Sequence, residues 1–385
     1  MTTAELPRIL RRRGEPEYPT FLELFFDLVY IFMLSRLSTG LAGDLSARGV
    51  FQTAVLLCAA WWVWVLTAWL TDIFNPRLAI IQATTLVIMF GALLMAVAVP
   101  AAFADRGHLF AVAYVGIHLV RAGVVIAATR VNRHIQAPTI RILFWFLVAA
   151  PLWVTGAFAD EVLRLVLWAV AVAVELQAPL IRWPTPWLGR TEPARQPFTG
   201  THLAERHREI FLIALGELVL TVGLGLAYSD LTAREVAVCA VSFGSAVLLF
   251  LLYRRQVRHL LLRQGAAVEG IRPGIFTSYS HLTMVGGVLL ISTGTTLALE
   301  HPDAGSPAAW IPVLLGGPAL VLLGSCLFDR VTTGRISPSR AAAIGVLALV
   351  GPATPLLPPV GVMLVGALVL LATLLVETAA ARRRR

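Results

Sequence analysis

Lysine is absent from this chain of 385 residues, whose 31 basic side chains are all arginine. Charge of any sign is sparse at 14%, against roughly 25% in soluble domains. That shortage excludes an ordinary soluble enzyme and a disordered chain. Cysteine is equally scarce. Cys58, Cys239 and Cys326 each lie inside a long apolar run, and no C-x-x-C spacing occurs. A disulfide scaffold and a thiolate metal site are thereby excluded, and the three read as small buried apolar residues. Also missing are a Walker A loop, a G-x-S-x-G elbow, an H-E-x-x-H helix and tandem metal ligands, so neither a cofactor nor a metal is expected. What remains is 58% hydrophobic residues and a mean hydropathy of +0.79. That composition belongs to an all-α, polytopic transmembrane helix bundle.

A spanning helix needs about 20 mainly apolar residues. Twelve stretches qualify: 21–40, 50–71, 79–102, 108–129, 141–158, 161–181, 206–228, 235–253, 276–299, 308–328, 340–356 and 358–378. Residues 351–359, GPATPLLPP, make the last two a tight hairpin or a partly re-entrant pair. Pro100, Pro151 and Pro179 are expected near span ends, where a missing N–H costs least. Arg11, Arg12 and Arg13 before the first stretch imitate a signal peptide, but Glu23 and Asp27 interrupt its apolar part, which predicts an uncleaved helix.

With the N-terminus inside, twenty-five arginines fall in cytoplasmic segments and four (Arg48, Arg106, Arg164 and Arg234) outside, with Arg36 and Arg121 within spans. This bias predicts a bacterial inner-membrane protein with both termini cytoplasmic. It also accounts for the formal charge of +9 without a nucleic-acid partner. The expected partners are the lipid bilayer, anionic headgroups under the basic stretch 254–263, and an unknown small solute or ion.

The polar, proline-rich segment 182–205 suggests two six-helix halves, 21–181 and 206–378, with a cytoplasmic segment 1–20 and a basic tail 379–385. Parallel six-span repeats are a transporter plan, although the repeat is weak here. Trp183, Trp187 and Trp310 fall near predicted interfaces. The cluster Trp61, Trp62, Trp64 and Trp69 runs along the second span, for packing or as a ligand-stacking wall.

An ionisable group inside a membrane costs about 2.5–3.5 kcal/mol at the helix centre and is a functional candidate by default. Glu23 and Asp27 share a face one turn apart. His118 and Arg121 are three apart on the fourth span, Glu175 precedes Pro179, Glu209 and Glu217 share a broad face of the seventh, and Tyr279, Ser280 and His281 open the ninth. By depth, Arg121 is expected to pair with Glu217. Such groups are either structural ion pairs fixing helix register or a polar path with Glu217, Asp27 and His281 as exchangeable sites. Glu23, Glu205 and Glu209 have the further option of reaching headgroups, and Arg36 of snorkelling outward. A metal site from His118, His281 and carboxylates lacks any H-x-x-H or E-x-x-H pair.

Three segments carry a resemblance. Glu23-Leu24-Phe25-Phe26-Asp27-Leu28-Val29 resembles the opening E-L-F-F-D-L-V of the bacterial low temperature requirement protein A family. His202, Glu205 and Arg206, followed by Leu215-Gly216-Glu217, resemble its H-x-x-E-R…L-G-E segment, read here as an interface motif. Tyr279-Ser280-His281-Leu282 resembles a third patch. His207-Arg208-Glu209 is more charged than the usual continuation. The resemblance implies a multi-span bacterial membrane protein linked by name to growth in the cold, with no settled activity. Three functions stay open at this stage: an ion- or proton-coupled secondary transporter using the buried carboxylates, a membrane-embedded enzyme on a lipid-type substrate, and a non-catalytic factor for cold adaptation.

Overall fold

The computed structural model describes residues 9–11, 18–130, 132–191, 200–264, 271–301 and 305–383, without the side chains at 200, 258–264, 271 and 272. Arg8, Arg12, Arg13, Arg195, Arg384 and Arg385, and the side chains of Arg258, Arg263 and Arg272, all counted in the arginine bias, lie outside the described residues.

Every element among the described residues is helical. In chain order they are α1 (Phe21–Gly43), α2 (Ala47–Ile73), α3 (Ala79–Ala98), α4 (Gly107–Thr129), α5 (Arg133–Phe158), α6 (Glu161–Leu180) and α7 (Gly200–Ala227). There follow α8 (Ala233–Gln264), α9 (Ile271–Glu300), the single turn α10 (Ile311–Leu314), α11 (Gly316–Thr333), α12 (Pro338–Val350) and α13 (Pro359–Arg382). A polytopic helical bundle is thus present, with a helix at each of the twelve expected places. Ten helices are long and apolar enough to cross a membrane by length and composition. The charged α1 and α11 are not among those ten. Large apolar side chains stay exposed along the helices, as at Val112 (71%) and Leu349 (82%), the surface expected of a chain solvated by lipid.

Local sequence sets the helix starts. Thr20 and Glu23 form a reciprocal capping box: Thr20 N–H and Oγ1 donate to Glu23 Oε2 at 2.7 and 2.8 Å, and Glu23 N–H reaches back to Thr20 Oγ1. Thr232 and Glu235 repeat the device before α8. Asn132 and Asp160 cap α5 and α6 through their side-chain oxygens. Pro151 lies inside α5, not at its end. Its missing N–H is tolerated within a helical bundle, where neighbouring groups satisfy the freed carbonyl. Residues Gly351–Leu356 form a 3-10 turn that separates α12 from α13.

The chain divides into two compact units, residues 1–36, 51–206 and 267–275 in the first, and 37–50, 207–266 and 276–385 in the second. In the first unit α3 packs on α4, α4 on α5 and α5 on α6. An aromatic core fills it, with Trp168 centred 5.2 Å from Trp153 and 5.4 Å from Phe110. Arg164 sits in that unit, only 7% exposed, and donates to the carbonyls of Ala102, Gly156 and Ala159. It therefore holds together the chain ends around α4 and α5 and is no free loop charge.

In the second unit α8 packs on α13, and α12 on both α11 and α13. Helices α9 and α11 meet backbone to backbone at Gly287 and Gly317. A Cβ on Gly287 would lie 2.7 Å from the Gly317 carbonyl oxygen, so only glycine permits the approach. Arg340, counted as a loop charge, is buried against Glu377 at 2.9 Å and Asp329 at 3.5 Å.

Candidate functional site

Two clusters in the first unit collect most of the buried charge. In one, Asp27 on α1 is wholly buried and accepts three hydrogen bonds. Arg206 of α7 grips it bidentately, Nη1 to Oδ2 and Nη2 to Oδ1, both at 2.7 Å, and Trp64 of α2 donates its indole N–H at 2.9 Å. The guanidinium also lies over the Trp64 ring at 5.7 Å, so one tryptophan supports both members of the pair. One turn before Asp27, Glu23 approaches His202 Nε2 at 3.2 Å, while His202 Nδ1 meets Asp72 Oδ1 at 3.1 Å. A single imidazole thus bridges two buried carboxylates from α1 and α2.

His202 and Arg206, read from the sequence as an interface motif, are both 1% exposed, as is Glu23. The reason is the start of α7. It begins at Gly200, six residues before the expected boundary, which is about 9 Å of helix at 1.5 Å per residue. Glu205, between them, is half-buried.

The second cluster lies on α4, α5 and α6. Glu175 accepts from the Tyr114 hydroxyl and from Trp153 Nε1 at 2.8 Å. Arg121 donates from Nη2 to His118 Nδ1 at 2.8 Å. An arginine only donates, so Nδ1 is the acceptor and the proton of the neutral ring sits on Nε2. Glu175 is near enough for its carboxylate to act on the guanidinium. Within its unit Arg121 thus bonds a histidine of its own helix.

In the second unit Glu217 of α7 is 1% exposed and, among the described residues, is held by hydroxyls alone. Ser38 and Thr221 donate to Oε1 at 2.9 and 3.0 Å, and Ser292 donates to Oε2 at 2.6 Å. His281 of α9 is also buried. Its Nδ1 lies 2.9 Å from the Thr277 carbonyl and its Nε2 3.0 Å from the Tyr253 hydroxyl. The carbonyl fixes a proton on Nδ1, and in the neutral ring Nε2 then accepts from the Tyr253 hydroxyl. His207 stands beside it, rings 4.9 Å apart, with its Nε2 on Ser278 at 3.0 Å.

The sequence reading missed Asp72, Tyr114, Trp153 and the hydroxyls of Ser38, Thr221 and Ser292. Asp72 stood one residue beyond the expected end of its span, and its acidity so close to an apolar run was the signal available. The hydroxyls carried no signal, because serine and threonine are common in packed membrane helices. Among the described residues no group of three or more His, Cys, Asp and Glu side chains is placed to hold a metal ion.

Residues 19–375 match the family described as Bacterial low temperature requirement A protein (LtrA). The chain belongs to the LtrA family. The match runs from before the α1 capping box into α13 and includes both clusters of the first unit, Glu217 and His281. The LtrA chain is also 32% identical to the uncharacterized protein RA0937 of Rhizobium meliloti (strain 1021), over 85% of this chain and 81% of the relative. It is accordingly a multi-pass membrane protein of the LtrA family.

Proposed function

We propose that this LtrA-family protein is a secondary transporter that couples the movement of a proton or small cation to that of a solute, with Glu217 as the exchanging carboxylate. One observation carries the reading: Glu217 is buried among apolar helices and, among the described residues, is held by three neutral hydroxyls and no cation. An ionised carboxylate in such surroundings lacks a countercharge, so a bound proton or small cation neutralises it. Hydroxyls suit both forms, since each donates to the carboxylate and accepts from the acid. The neutral His281 with Tyr253 supplies a second group able to pass a proton. Asp27, already neutralised by Arg206, is assigned to holding helices together. Counting α1 and α11 as crossings gives an even number. Both termini then lie on the arginine-rich side, which the positive-inside rule assigns to the cytoplasm of a bacterial inner membrane. Arg254, exposed on α8, faces anionic headgroups in that orientation.

Charge movement on solid-supported membranes tests the proposal. A panel of small solutes is applied to proteoliposomes under imposed proton and sodium gradients. At least one solute is expected to evoke a gradient-dependent current that Glu217→Gln abolishes while the protein keeps its melting temperature. Equal currents from wild type and Glu217→Gln would remove the assignment.

A further inference from the structure

The first unit encloses a cavity of about 240 Å³ that the coupling proposal does not use. Its walls are apolar, among them Leu66, Leu70, Val125, Leu143 and Phe146 from α2, α4 and α5. His118 and Arg121 line it as well, and His134, exposed at the start of α5, lines it where it reaches the surface. Three hydrogen-bonding atoms in this lining are buried without a hydrogen bond, Arg121 Nη1, His118 Nε2 and Thr191 Oγ1. Arg121 is 7% exposed and His118 1%. The tautomer derived above puts a proton on His118 Nε2, so it and Arg121 Nη1 are both donors, while the Thr191 hydroxyl can donate or accept. A fixed positive charge with two unused N–H groups, in a site walled mostly by hydrocarbon, is costly unless an acceptor fills it.

We propose that this cavity binds an amphipathic monoanion, its anionic head on Arg121 Nη1 and His118 Nε2 and its apolar chain against Leu66, Leu70, Leu143 and Phe146. Three features select that chemistry. The donors converge from one helix and suit an oxyanion. Most of the wall is apolar and suits a hydrocarbon tail. One guanidinium carries a single positive charge, which favours one negative charge over two. The volume is about that of eight waters at ~30 Å³ each, enough for a carboxylate and a short alkyl chain or for part of a phospholipid. The proposal stands apart from the role of Glu217, because it concerns binding and needs no ion gradient.

The test is titration calorimetry on the full chain in a neutral maltoside, with octanoate, octanol and octylammonium as probes. Octanoate is expected to bind, octanol at least tenfold more weakly and octylammonium not at all. Arg121→Gln should weaken octanoate at least tenfold. If that variant does not fold, Leu143→Trp fills the cavity without touching the charge and should also abolish binding. A second arm places the protein in nanodiscs with dioleoylphosphatidylglycerol or dioleoylphosphatidylcholine and measures octanoate competition. Octanoate binding that survives the anionic lipid supports a free carboxylate. Loss of octanoate binding in the anionic lipid alone, with Arg121-dependent lipid retention, supports a lipid head as the same monoanion. Octanol binding as tightly as octanoate, wild-type affinity in Arg121→Gln, or no binding of either anion would overturn the proposal.

Discussion

Asp27 and Glu217 are both buried carboxylates that accept three hydrogen bonds, yet one is balanced and the other is not. Asp27 has a bidentate arginine and an indole. Glu217 has three hydroxyls. Hydrogen-bond satisfaction and charge compensation are thus separate requirements, and only the first is met at both sites. A paired buried charge resists change, because removing either partner strands the other. A carboxylate among hydroxyls keeps its hydrogen bonds whether a proton or a small cation neutralises it. The contrast is that between a rivet and a switch.

The largest effect is expected where the rivet is broken. Arg206→Met leaves Asp27 ionised and unpaired, which should cost about 3–5 kcal/mol and appear as loss of monodisperse protein in detergent. Adding Asp27→Leu should recover much of that loss. No recovery would mean that Arg206 matters for something other than Asp27. An intermediate effect tests the site that shares features of both. Glu175 has neutral donors like Glu217 but an arginine within electrostatic reach. Tyr114→Phe removes one donor from it and should cost about 1–3 kcal/mol, read as a lower melting temperature. The smallest effect belongs to Glu217→Gln. The amide keeps an acceptor and the apolar surroundings lose no countercharge, so stability should stay within about 1 kcal/mol in the same assay. A drop as large as that of Arg206→Met would erase the distinction between the two sites.

Much of this was legible before any coordinates. Glu23, Asp27, Arg121, Glu175, Glu217 and His281 stand out in the sequence because charge is rare in apolar runs, and all six are buried. Their partners did not stand out. Pairing Arg121 with Glu217 by depth uses only position along each helix, and helices at equal depth need not face one another. Arg206 was read as a loop arginine for a related reason. The stretch His202 to Arg206 is polar, and hydropathy places polar stretches outside spans. Here the polarity belongs to a helix that begins at Gly200 and buries its first turns against the carboxylates of α1 and α2.

Composition and hydrophobic run length alone determined that this is a helical membrane bundle, since a chain with so little charge satisfies its backbone in lipid only by coiling it. Which acid meets which base, where α7 begins, and that two donors of α4 line a largely apolar cavity were decided by the packing of distant helices. Those contacts join residues as far apart as Asp27 and Arg206, and nothing in local periodicity encodes which faces come together.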